Sequence, residues 1–78
     1  MTLQETGFLL AKIALVENRT ATNEQIRAWH EILQDVNYQD AMEALLRHYR
    51  NSSESCKPTH IYKGAREVSE EKKKRRFE

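Results

Sequence analysis

Tyr38-Gln39-Asp40-Ala41-Met42-Glu43-Ala44-Leu45-Leu46-Arg47-His48-Tyr49-Arg50 decides the fold class. Tyr38, Met42, Leu45 and Tyr49 step by four, three and four, with Ala41 and Leu46 alongside. That spacing gathers them on one side of an α-helix and would scatter them over both faces of a strand. Asp35 or Asn37, just upstream, has the short polar side chain that satisfies a helix's first amides.

The same period extends upstream. Thr22-Asn23-Glu24-Gln25 has the capping-box pattern, and a helix follows to about Gln34. Ile26, Trp29 and Leu33 form its stripe, with Ile32 beside it. Trp29 is read as a core residue. Glu17 to Ala21 is a polar loop. Before it, Thr2-Leu3-Gln4-Glu5 repeats the capping pattern and opens a helix over Thr2 to Val16. Leu3, Thr6, Leu10 and Ile13 share its stripe, widened by Leu9 and Val16. Gly7 weakens this helix, and close approach of a neighbouring helix would be a reason to keep it.

Downstream, Asn51 to Lys57 is a polar linker without an apolar anchor. Pro58 suits the first turn of a fourth helix, which runs into the 70s and is expected to fray after Lys72. Ile61, Ala65 and Val68 give it a thin apolar stripe. Glu70–Lys74 and Glu71–Arg75 are i,i+4 pairs in the favourable order. The expected architecture is all-α: a three-helix bundle plus a more loosely held basic C-terminal helix. The division is residues 1–56 as the compact core and residues 57–78 as the basic helix and tail.

Composition agrees. Two glycines and one proline in 78 residues leave few of the turns a β-rich fold needs. Residues 1–56 hold eight acidic against five basic side chains, a charge of −3, and residues 57–78 hold four against eight, a charge of +4. A lone cysteine, Cys56, cannot form an internal disulfide. No apolar run approaches the roughly 20 residues of a membrane span, and no basic cluster precedes the first apolar stretch as in a signal peptide. A soluble, cytoplasmic protein is expected.

No catalytic constellation is legible. Cys56 lies in a Ser-rich linker with no base held against it, there is no Gly-rich phosphate loop, and no carboxylate pair stands apart. The chain is therefore read as a non-enzyme without a cofactor. His48, Cys56 and His60 match no common zinc spacing and lack a fourth ligand, so no metal site is expected. Lys72-Lys73-Lys74-Arg75-Arg76 can contact phosphates without reading bases, although four nearby glutamates dilute its field. The alternative reading of that run is a solvated tail.

From Trp29 onward a second pattern emerges. Trp29 is followed by Leu33, Asp35 and Tyr38 at the opening of the next helix, then by Ala41, Ala44 and the His48-Tyr49-Arg50 ending. A polar linker and Pro58-Thr59-His60-Ile61 come next. In these core and boundary positions, over roughly residues 3–65, the chain resembles the phage replication proteins that load and inhibit the replicative helicase. The resemblance implies a compact helical domain and a mobile C-terminal segment that engages a hexameric helicase. It also implies a meeting with an origin-binding initiator. Trp29, Leu33, Tyr38 and Tyr49 would be structural. The chain departs from the family pattern in its short, strongly basic end.

The function expected is that of a phage or prophage replication adaptor that loads or inhibits a replicative helicase. Partner contact is assigned to Ile61, Tyr62, Arg66, Val68, Lys72, Lys73, Lys74, Arg75 and Arg76, with nonspecific DNA contact through the basic end as a further expectation. Phe77 is a last sparse anchor on that segment. The alternative is a small helix-turn-helix regulator or excisionase-like DNA-binding protein. Only Arg47 and Arg50 are available on the third helix to read bases. A phage-encoded inhibitor of a host protein is a third reading.

Overall fold

Each of the first three helices begins where a side chain can satisfy its leading amides. In the computed structural model, which describes the backbone of residues 1–76 and side chains through Lys74, α1 spans Leu3–Glu17. The Glu5 amide donates to Thr2 Oγ1 at 3.1 Å, and the Thr2 amide donates back to Glu5 Oε1 at 2.8 Å. α2, Asn23–Leu33, repeats that box through Thr22 and Gln25, both bonds at 3.1 Å. α3, Tyr38–Asn51, takes Asn37 as its cap, whose side chain accepts from the amides of Gln39 and Asp40. α4, Pro58–Arg76, opens on the proline. α1 stops at Asn18, whose φ of 52° is the left-handed conformation that ends many helices. Phe77 lies outside the described residues, as do the side chains of Arg75 and Arg76 and hence the Glu71–Arg75 pair.

The all-α bundle expected from the sequence is what forms. One apolar cluster joins Leu9 and Ile13 of α1, Leu33 of α2, Ala41, Ala44 and Leu45 of α3, and Ile61 and Ala65 of α4. Val36 and Cys56, from the two connections flanking α3, complete it. The chain's own ammonium closes one end by donating to the carbonyls of Gln34 and Val36, at 3.0 and 2.5 Å. Beyond Val68, α4 contributes no buried residue among those described, and Glu70 to Lys74 are exposed, although Glu71 and Lys72 still reach α3 side chains.

Several stripe positions fall elsewhere than the periodicity places them. Leu3, Val16 and Ile32 are each about half exposed, because a neighbour covers only the middle of each stripe. Trp29 is not enclosed. It is half-buried and packs against the core from outside. On α3 the face turned inward is Asp40, Ala41, Ala44 and Leu45, while Tyr38, Met42 and Tyr49 are half-buried. The reason is α4, which lies against the two alanines. A Cβ added to Gly64 would stand 2.8 Å from Ala44 Cβ. Close approach is therefore made at Gly64 and not at Gly7, where an added Cβ meets only Ile26 Cδ1, at 3.9 Å.

Glu17 ties three segments together. Its carboxylate accepts from Tyr49 Oη of α3 at 2.5 Å, from Ser55 Oγ at 2.8 Å and from the Cys56 amide at 2.9 Å. Arg19 pairs with it at 3.3 Å. Burial alone would raise its pKa. The three hydrogen bonds and Arg19 outweigh that and bring it to about 2.

Three sets of variants test this arrangement. Leu45→Ala, in the fully buried centre, should cost roughly 3–4 kcal/mol, and Trp29→Ala only about 2 kcal/mol. Native tryptophan emission should lie between that of a buried and a fully hydrated indole. An emission maximum at either extreme contradicts the half-buried placement. Denaturant titration should show Gly7→Ala stabilising by about 0.5–1 kcal/mol, while Gly64→Ala destabilises by roughly 1–3 kcal/mol despite its better helix propensity. A carboxylate with a depressed native pKa adds stability above its unfolded value of 4.5, and loses it as the pH falls toward 2. That contribution is up to about 3 kcal/mol. Glu17→Gln should therefore lower stability at neutral pH and flatten the decline between pH 4.5 and 2. An unchanged acid limb in that variant would remove Glu17 from its assigned role.

Candidate functional site

Three surface features remain once the core is filled. The first is the outer side of α4. Tyr62 is half-exposed and Arg66 is exposed beside a cleft that also takes in Asp35, Asn37 and Asp40. Two of the apolar residues that the sequence assigns to a partner, Ile61 and Val68, are instead buried against the bundle, at 0% and 4% exposure. While α4 is docked they contribute to the fold and not to the surface.

The basic run is divided by its own ion pairs. Lys72 is turned back onto Asp40 of α3, a carboxylate only 10% exposed. At the adjacent position on α4, Glu71 takes a two-pronged bond from Arg47, at 3.1 and 2.7 Å, and Arg47 also meets Glu43 at 3.2 Å. Those carboxylates raise the Arg47 pKa above its usual value. Acidic groups on α3 and α4 thus hold part of the positive charge against the body. Lys73 and Lys74 face water, and Arg75 and Arg76 continue the helix.

The second feature is apolar and was not singled out from the sequence. Phe8 and Leu15, seven residues apart on α1, are 53% and 80% exposed. With Ala11 they line a shallow groove whose other wall is Tyr38, Met42 and Leu46 of α3. Its signal was present, since residues 8, 11 and 15 share a helix face opposite Leu9 and Ile13. The expected stripe, Leu3, Thr6, Leu10 and Ile13 with Leu9 and Val16, lies on that opposite face.

The third is polar. The last turn of α3 and the first turn of α4 meet across the linker, so His48, Cys56 and His60 converge, with one ligand-type atom from each within 4.8 Å of the others. The two imidazoles stack with centroids 4.5 Å apart. No metal site was expected, on linear spacing and the lack of a fourth ligand, and linear spacing does not register the chain reversal that brings these three together. Cys56 is fully buried, and its thiol pKa is pushed up to about 11 by that burial and by the Glu17 carboxylate nearby. An unassisted thiol in that state is a poor nucleophile.

No described helix is long and apolar enough to cross a membrane. Neither the curated proteins nor the solved structures contain a match to the chain. The sequence profile of the N-terminal domain of the phage gene 39 protein does match, over residues 1–72, and that family is a phage regulatory one connected with replication. With nearly the whole length covered, the chain belongs to the family of the gene 39 protein N-terminal domain.

Proposed function

We propose that the protein regulates a replicative hexameric helicase during phage DNA replication in the host cytoplasm, binding the helicase and loading or inhibiting it without hydrolysing nucleotide. The family match over residues 1–72 carries this reading. The arrangement of charge supports it. An acidic body with a basic helical extension suits a protein that meets an acidic partner surface through one end. Tyr62, Arg66, Lys72, Lys73 and Lys74 are the contact residues accessible on docked α4, Lys72 while paired with Asp40. Arg75 and Arg76 extend the same charge along the chain. Ile61 and Val68 join the contact only if α4 lifts from the bundle, which would expose the core they close.

The basic run also favours a second reading, contact with DNA phosphates. Sequence-specific recognition through α3 is disfavoured. The residue on α3 best suited to reading bases, Arg47, is held by Glu43 and Glu71, and the helix's inner face lies under α4.

Deleting residues 69–78 separates these readings, because the core residues all precede the cut. The truncated protein should remain helical. It should bind the host's hexameric helicase at least about tenfold more weakly, and restrain or promote its unwinding correspondingly less. DNA binding through the basic run would appear as affinity falling log-linearly with salt, by about 0.9 per phosphate contacted. Unchanged helicase affinity on truncation would remove the basic end from the interface. Absence of helicase binding by the full chain, with DNA bound alone, would replace the proposal with the second reading.

A further inference from the structure

We infer that His48, Cys56 and His60 form a binding site for a borderline-soft divalent cation of the zinc class, which clasps the end of α3 to the start of α4. The three donors come from separate points of the chain, the last turn of one helix, the linker and the first turn of the next. Their ligand atoms lie within 4.8 Å of one another. A zinc ion with bonds of about 2.3 Å to sulfur and about 2.0–2.1 Å to nitrogen needs its donors between about 3.3 and 3.7 Å apart. The cluster is thus within about 1.5 Å of a coordinating geometry, a distance that side-chain rotations span. Thiolate with imidazole is the donor set that selects zinc over calcium or magnesium.

Of the hydrogen bonds around the cluster, the one at His48 is of the kind such a site uses, and the one at His60 must be exchanged. His48 Nε2 lies 2.9 Å from the Glu54 carbonyl. A carbonyl only accepts, so Nε2 carries the proton, and in the neutral ring the lone pair is then on Nδ1. A ring nitrogen held in this way by a backbone oxygen is the usual outer support of a metal-binding histidine. His60 has its Nδ1 lone pair engaged by the Lys57 amide at 2.9 Å. Coordination through that atom releases the amide, and Lys57 is exposed, so water can replace the bond. Cys56 Sγ has a single weak polar neighbour, the Lys57 carbonyl at 3.8 Å. The nearby Glu17 carboxylate, which disfavours a free thiolate, favours a dication bound to one.

Access exists as well. An open groove between α3 and α4 runs past His48 and His60, bordered by Ser52, Lys63 and Glu67. Three protein donors leave a fourth position for water on that side. The ion would join the two helices beside the 52–57 connection, where the His48 and His60 rings already stack.

Cobalt(II) alone, added to the full-length protein free of any affinity tag, is the direct probe. The expected result is a thiolate-to-cobalt charge-transfer band with the visible bands of a tetrahedral site, saturating at one equivalent and displaced by zinc. Zinc should also raise the melting temperature in proportion to the logarithm of its concentration. His48→Ala and His60→Ala should each weaken binding by more than about 100-fold, since losing a ligand exceeds the effect of losing its outer support. Cys56→Ser should abolish the charge-transfer band. That residue is enclosed in the core, so the two histidine variants, whose side chains are half-buried, carry the test if the serine variant fails to fold. No charge-transfer band at saturating cobalt would overturn the assignment. A band that survives both histidine variants with unchanged affinity would do the same.

Discussion

The approach of α4 to α3 at Gly64 and Ala44 is the constraint on which the rest of the molecule depends. A Cβ on Gly64 would meet Ala44 Cβ at 2.8 Å, so the helices sit closer than two ordinary side chains allow. Ala41, Ala44 and Ala65 keep that seam narrow, and Leu45 and Ile61 fill what lies beside it. A helix pair drawn this near brings its connected ends together. The short 52–57 linker must then turn inward, and Cys56 enters the core although its sequence neighbours are polar. His48 and His60 are carried into contact by the same reversal. The half-exposed positions of Tyr38, Met42 and Tyr49 follow too, because α3 can turn only one face fully toward α4.

Electrostatics then secures what packing has placed. Glu17 is a mostly buried acid, yet it stays ionised because two hydroxyls, one amide and Arg19 surround it. Its partners belong to α3 and to the linker, so a single carboxylate holds the end of α1 against the two segments that follow the Gly64–Ala44 seam. At the far end, Asp40 and Glu71 hold Lys72 and Arg47. These outer pairs are exposed on at least one side, and such pairs contribute little to stability individually. Their effect is on direction, since they fix α4 along the body and leave the next basic residues extending from it.

Much of this was legible in the sequence, for physical reasons. Capping side chains act within four residues, so Thr2, Thr22 and Asn37 mark their helix starts from the sequence alone. The 3.6-residue period likewise identifies Leu9, Leu10, Ile13 and Leu33 as inward-facing. Failures occur where the deciding contact is remote. On α3 Leu45 and Ala41 lie inside as expected, but Tyr38, Met42 and Tyr49 are half-buried while Ala44 is enclosed, because the depth of a seam depends on what faces it. Gly7 and Gly64 look alike in one dimension, and only Gly64 has a neighbour too near for a Cβ. Cys56 was assigned to a linker without an apolar anchor and is itself that anchor. The convergence of His48, Cys56 and His60 was equally illegible, because linear spacing does not show that two helix ends and their linker meet.

The location of the three surface features bears on how the proposed helicase regulation would work. The exposed basic residues lie on the α4 end remote from the linker, whereas His48, Cys56 and His60 lie at the linker itself. α4 is the rigid element common to both. Any ligand that tightens the α3–α4 junction makes lifting of α4 harder, and so keeps Ile61 and Val68 inside and the basic end in its present direction. The energetic link needs no contact between the sites, because both bias the same docked helix. The apolar groove between Phe8, Leu15 and Met42 is on the other side of α3 from that junction and is free of the constraint. A partner engaging the basic end would therefore sense the state of α4, whereas one seated in the groove would sense only the packing of α1 on α3.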